Sequence, residues 1–140
     1  MRKTALVFGL LAAVATWPMA QAAVTTYKAN LSGAAEVPPV TSAGKGTAQV
    51  SVDTATKQVS WRVEYSEPSG PPAAAHIHCG AAAGANAGVA VPLGTNLASP
   101  IEGSAAMTDA QLADVTAGKC YVNIHTAANK GGEVRGQLVP

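Results

Sequence analysis

Along much of this chain apolar and polar residues alternate with the two-residue period of β-strands, and one stretch alone carries helical spacing. Tyr27, Ala29 and Leu31 alternate with Lys28 and Asn30, and Thr47 to Val52 forms a second run. The most regular run is Val59-Ser60-Trp61-Arg62-Val63-Glu64-Tyr65. Between these two, Asp53-Thr54-Ala55-Thr56-Lys57 reads as a hairpin turn. Glu67 to Pro72 holds prolines that lack the amide donors of a central strand, which predicts irregular chain. Further strands are expected at Ala74 to Cys79, near Val89 to Leu93, at Cys120 to Thr126 and from Glu133 to Val139. Residues 80–88, rich in Gly, Ala and Asn, read as a loop, and Asn129-Lys130-Gly131-Gly132 as a turn.

The helical exception lies near 108–117. Thr108 is placed to cap it, Gln111 stands at capping-box spacing, Leu112 and Val115 share a face, and Gly118 supplies the stop. Together these elements predict an all-β fold: an antiparallel, Greek-key-like β-sandwich of about seven or eight short strands with one short helix.

The first residues change the picture of where this fold works. Arg2 and Lys3 precede an uncharged apolar run from Ala5 to Val14, and Ala20-Gln21-Ala22 forms an A-x-A cleavage site. That is the layout of a secretory signal peptide over 1–22, with a single domain over 23–140, and it predicts a periplasmic or secreted protein. The apolar run is shorter than the ~20 residues a membrane-spanning helix needs, so no membrane attachment is expected after cleavage. Without Arg2 and Lys3 the chain keeps seven basic side chains against eight acidic ones. Such a balance gives no basic face for nucleic acid. Only Tyr27, Trp61, Tyr65 and Tyr121 remain as aromatics, so the core must be thin and built from small side chains, as two facing inner sheet faces allow.

Cys79 and Cys120 are the only cysteines. An oxidising compartment favours a disulfide between them, and closing a loop of that length contributes ~4 kcal/mol on the chain-entropy model. Two free thiols or a copper–thiolate ligand are the alternatives.

The three histidines fall in two places, Ala75-His76-Ile77-His78-Cys79 and Asn123-Ile124-His125-Thr126. On a strand His76 and His78 share one face, while Ile77 and Cys79 take the other. In the later strand Tyr121, Asn123 and His125 share a face, opposite Cys120, Val122 and Ile124. If the two strands are antiparallel neighbours with Cys79 opposite Cys120, then Ala74 faces His125, and His125 lies diagonal to His76. The disulfide then occupies one side of the sheet and three imidazoles the other. Three neutral imidazoles suit copper, with zinc as the competitor. The alternative is that these histidines hydrogen-bond to loop backbone and hold residues 80–88 in place.

Other candidates carry less. Glu36 precedes Pro38 and Pro39 and reads as an edge-strand exit. Glu133 and Arg135 share a strand face and are expected to form a surface ion pair. No serine has a nucleophile setting, and no glycine run has the phosphate-binding pattern.

Four segments resemble the CHRD domain, a module named from the animal protein chordin and also found in bacterial exported proteins. They are Gly33-Ala34-Ala35-Glu36-Val37-Pro38-Pro39, Ala75 to Gly80, Gly118 to Thr126, and Gly132-Glu133-Val134-Arg135-Gly136-Gln137. Asn129-Lys130-Gly131 stands where that family often has a proline-containing turn. The histidine layout is also similar to that of copper–zinc superoxide dismutase, a β-sandwich with an H-x-H pair, a distant copper-binding histidine, an arginine near the metal and a disulfide. That similarity implies His76, His78 and His125 as copper ligands and Arg135 as an anion guide in a copper-only, superoxide dismutase-like site. No further histidine is present to bridge to zinc. The chordin kinship implies a different role, a non-enzymatic extracellular interaction module. No particular protein partner is implied by either.

Overall fold

A computed structural model describes residues 23–140; the predicted signal segment over 1–22 lies outside the described residues. Eight strands follow one another: β1 (Val24–Ser32), β2 (Lys45–Asp53), β3 (Gln58–Ser66), β4 (Pro72–Cys79), β5 (Val89–Pro92), β6 (Ile101–Ala106), β7 (Cys120–Thr126) and β8 (Val134–Gln137). A single helix, α1 (Asp109–Thr116), separates β6 from β7. Every strand pairing is antiparallel, and the order across the sheet is β5-β4-β7-β8-β1-β2-β3-β6. The expected all-β antiparallel fold with one short helix is therefore the one observed.

Its halves are joined by little. β8 and β1 meet at the single pair Ser32 and Arg135, and beyond it Lys28 and Val139 exchange two backbone hydrogen bonds of 2.7 and 2.9 Å. On either side of this seam lie four strands, and their inward residues meet in one core. Tyr27, Leu31, Val50, Val59, Trp61, Val63 and Ile101 come from one half, and Ala75, Ile77, Val91, Val122, Ile124 and Val134 from the other. One hydrogen-bonded sheet thus curls around a single core in a nearly barrel-like form, and the two facing layers inferred from composition are its two halves. Because the inward side chains are mostly Val, Ala and Ile, tight closure of the layers substitutes for aromatic bulk.

Local chemistry explains the connections. Asp53 turns the β2–β3 hairpin by accepting hydrogen bonds from the Ala55 and Thr56 amides at 2.9 and 3.1 Å, and Lys57 takes positive φ. Thr108 and Gln111 close the capping box in both directions, and α1 buries Val115. β6 has no counterpart in the sequence reading. Ile101 is its sole large apolar residue, and Gly103 faces Trp61 on β3. A Cβ on Gly103 would come within 2.5 Å of the indole ring, so the missing side chain is what lets Trp61 lie over this edge strand.

Two expectations are corrected. Glu36 does not leave an edge strand: β1 lies inside the sheet, the chain exits through a 3-10 turn at Gly33–Ala35, and the Glu36 side chain is buried. Glu133 and Arg135 form no surface ion pair. Both are buried, and each binds different partners. The Glu133 carboxylate precedes β8 and accepts hydrogen bonds from the Ser42, Ser69 and Thr126 hydroxyls and from the Ser69 amide. It thereby ties three separate segments to the start of β8.

Candidate metal site

The site is built by the register of β4 against β7. Cys79 pairs with Cys120, His78 with Tyr121, His76 with Asn123, and Ala74 with His125. Cys79 and Cys120 form a disulfide on the inner side, with Cys120 in the core and Cys79 packed against it. His76, His78 and His125 consequently rise from the outer face. The pleat itself separates the bridge from the imidazoles, as the strand parity anticipated.

One potential ligand atom from each of the three rings lies within 4.8 Å of the other two. Ring centroids are 4.9 Å apart for His76 and His125, 5.4 Å for His76 and His78, and 6.1 Å for His78 and His125. His76 Nδ1 lies 3.0 Å from His125 Nε2. Two nitrogens on one tetrahedral ion, at bonds of about 2.0–2.1 Å, sit ~3.3 Å apart, so this pair needs little movement to share an ion.

Backbone carbonyls orient two of the rings. His78 Nδ1 is 2.9 Å from the Ala87 oxygen, and His125 Nδ1 is 3.0 Å from the Lys130 oxygen. A carbonyl only accepts, so these contacts assign the proton of each ring to Nδ1 and leave a lone pair on Nε2. In His125 that lone pair faces His76. In His78 it is buried and has no hydrogen-bond partner. An imidazole held by its far nitrogen, with the near one bare, is the arrangement that metal-ligating histidines adopt.

Electrostatics favour the neutral form of two of the rings, His76 and His125. Burial lowers the His76 pKa below its ordinary value, and the neighbouring His125 and His78 lower it further. Burial also lowers that of His125, against the opposing pull of its bond to the Lys130 carbonyl. At neutral pH these two rings are uncharged, the form in which imidazole binds a metal.

A second layer surrounds the histidines. The His78 ring stacks on Tyr121 at 4.8 Å with 3° between planes, and the Arg135 guanidinium lies 3.5 Å from the centre of the same tyrosine ring. Tyr121 sits on the middle strand, with His78 and Arg135 reaching it from the strands on either side. Loop 80–88 folds over this stack. Arg135 donates to Asn86 Oδ1 at 3.0 Å and to the Ala85 carbonyl at 2.7 Å, and the Ala87 amide donates to Tyr121 Oη at 3.2 Å. Arg135 is therefore a clasp for the loop, only 2% exposed, whereas steering anions from solvent needs an open cation.

Beneath the clasp lies Glu36, whose pKa burial raises to about 7, against the opposing influence of Arg135 and Asn123. Gly132, at φ +132°, makes room for it: a Cβ there would collide with the Glu36 carboxylate and come within 2.8 Å of Asn123 Nδ2.

The sequence brought forward the three histidines and both cysteines. It missed the parts played by Tyr121, Asn123 and the Lys130 carbonyl. The shared strand face of Tyr121 and Asn123 with His125 was the available signal. Lys130 acts through its backbone and left no mark in its side chain.

Among the described residues no helix is long and apolar enough to cross a membrane. No curated protein and no solved structure matches the chain. Residues 27–138 match the family model of the CHRD domain, and with that match spanning nearly all of the described fold, the chain belongs to the CHRD family.

Proposed function

We propose that this protein is exported and binds copper through His76, His78 and His125, serving copper storage, transfer or tolerance. The observation that carries this reading is the bare, buried Nε2 of His78 in a cluster whose ligand atoms lie within 4.8 Å of one another. An unpartnered polar atom in a buried setting costs about 1–3 kcal/mol, and a metal ion is a partner that removes the cost. Among divalent first-row ions copper heads the affinity order for nitrogen donors, and Cu(I) accepts imidazole as well. Zinc is the competitor for the same three nitrogens. The disulfide and the signal-like first residues support an oxidising compartment outside the cytoplasm.

Titration of the purified protein with Cu(I) and Cu(II), beside His76→Ala and His78→Ala, tests the reading. Tight one-to-one binding in the parent and a loss of at least tenfold in each variant is expected. Equal affinity in all three removes these histidines as ligands.

A second reading, a metal-free interaction module, is favoured by one observation. His78 and His125 bond loop carbonyls, which is what histidines that merely pin loops would do. On that reading added copper leaves the melting temperature unchanged.

A further inference from the structure

We propose that a small, weakly hydrated anion completes the coordination of the metal, entering over the alanine-lined depression beside His76 and His125. This inference rests on the metal reading above. Three imidazoles bring no negative charge, so a divalent ion held by them keeps its full charge and an open position.

The two sides of the histidine cluster differ. Toward loop 80–88 the approach is shut, because His78 is buried under the Ala87 carbonyl and stacked on Tyr121. On the opposite side His76 and His125 border a depression of about 420 Å³, lined otherwise by Ala73, Ala74, Thr126, Ala127 and Lys130. No carboxylate is among these lining residues. Glu133 lies behind Thr126 and accepts the hydroxyl proton of that residue at 2.6 Å, which also leaves Thr126 no proton to offer a ligand. Lys130 is exposed and supplies the one cationic side chain of the lining.

The lining decides the class of ligand. Alanine methyl groups offer no hydrogen bonds to replace a lost hydration shell, so phosphate or sulfate would enter at a heavy desolvation cost. Azide, thiocyanate and halides lose far less. The metal supplies the bond and Lys130 the long-range attraction.

Azide is the probe. The copper(II)-loaded protein is titrated with sodium azide, followed by the azide-to-copper charge-transfer absorption, with phosphate run in parallel. Ala127 is exposed and outside the ligand set, so Ala127→Glu and Ala127→Lys change the charge at the mouth without touching a ligand. Copper(II) affinity moves the opposite way, rising in Ala127→Glu and falling in Ala127→Lys, so azide is titrated on each protein at full copper loading. Azide affinity falls about threefold in Ala127→Glu and rises by a similar factor in Ala127→Lys, and both differences fade in 1 M non-coordinating salt. Phosphate produces no change. Copper retained without an azide band, or one azide affinity in all three proteins, overturns the anion site alone. Failure of the parent to retain copper overturns the metal reading and this one with it.

Discussion

Two buried glutamates respond to pH in opposite directions, and the cause in each case is a countable set of neighbours. Burial alone would raise the pKa of Glu133, but the hydroxyls of Ser42, Ser69 and Thr126 and the Ser69 amide outweigh it and hold the group at about 2. Since the folded value lies below the ordinary 4.5, the carboxylate contributes stability that is fully present above pH 4.5 and is lost as pH falls towards 2. Its size is about 3 kcal/mol by linkage. Urea unfolding between pH 2.5 and 7 should show this loss in the parent. Glu133→Gln should be about 2–4 kcal/mol less stable at pH 7 and nearly flat across the same range, because its amide no longer titrates and meets hydroxyl donors with its own NH₂.

Glu36 carries the contrary sign. Its folded pKa of about 7 exceeds the ordinary value, so its contribution is present below pH 4.5 and lost as pH rises through 7. Replacing it with Gln should remove the fall in stability between pH 5 and 8. A Glu36→Gln profile parallel to that of the parent would show that the slope comes from elsewhere.

At the scale of elements, legibility in the sequence followed side-chain contrast. β3, with Val59, Trp61 and Val63 inward and charges outward, could be read residue by residue, as could β4 and β7. The register of those two followed from one assumption, that Cys79 lies opposite Cys120, and the structure bears it out. β6 could not be read, because Gly103, Ser104 and Ala105 carry no pattern and the strand exists through its partner: Trp61 covers the gap that Gly103 leaves. Gly103→Val should therefore cost about 1–3 kcal/mol, measured as a shift in urea midpoint, by forcing the indole off the edge strand. An unchanged midpoint would show that Trp61 has room to move.

The same contrast explains the site. Histidines are rare and their parity is simple, so their clustering on one face was visible. The clasp was not, since it joins Arg135 to backbone and amide groups of loop 80–88 that have no distinctive sequence. Glu133 was misjudged for a related reason: its partners are hydroxyls 7 to 91 residues away, which no local pattern announces.

Taken as a whole, the molecule sets a covalent bridge and a cluster of imidazoles on opposite sides of one strand pair, each limiting how the other moves. The Cys79–Cys120 bond closes a separation of 41 residues that includes loop 80–88, β5, β6 and α1, and it contributes about 4 kcal/mol on the chain-entropy model. A metal held by His76, His78 and His125 would bridge the same two strands from the outer face. It would favour the native state, where the sheet fixes all three rings in binding geometry while the unfolded, disulfide-linked chain holds them only loosely near one another. A ligand that binds only the folded state at 100 times its dissociation constant adds about 2.7 kcal/mol. For a fold of this size that is roughly a 10 °C rise in melting temperature. Thermal scans with and without copper should therefore show a rise in the parent and at most about half of it in His78→Ala, whose unligated melting point reports separately on the loop contact that the ring makes with Ala87. Under the interaction-module reading that variant is destabilised but copper moves neither protein. A rise of equal size in both would place the copper somewhere other than these three imidazoles.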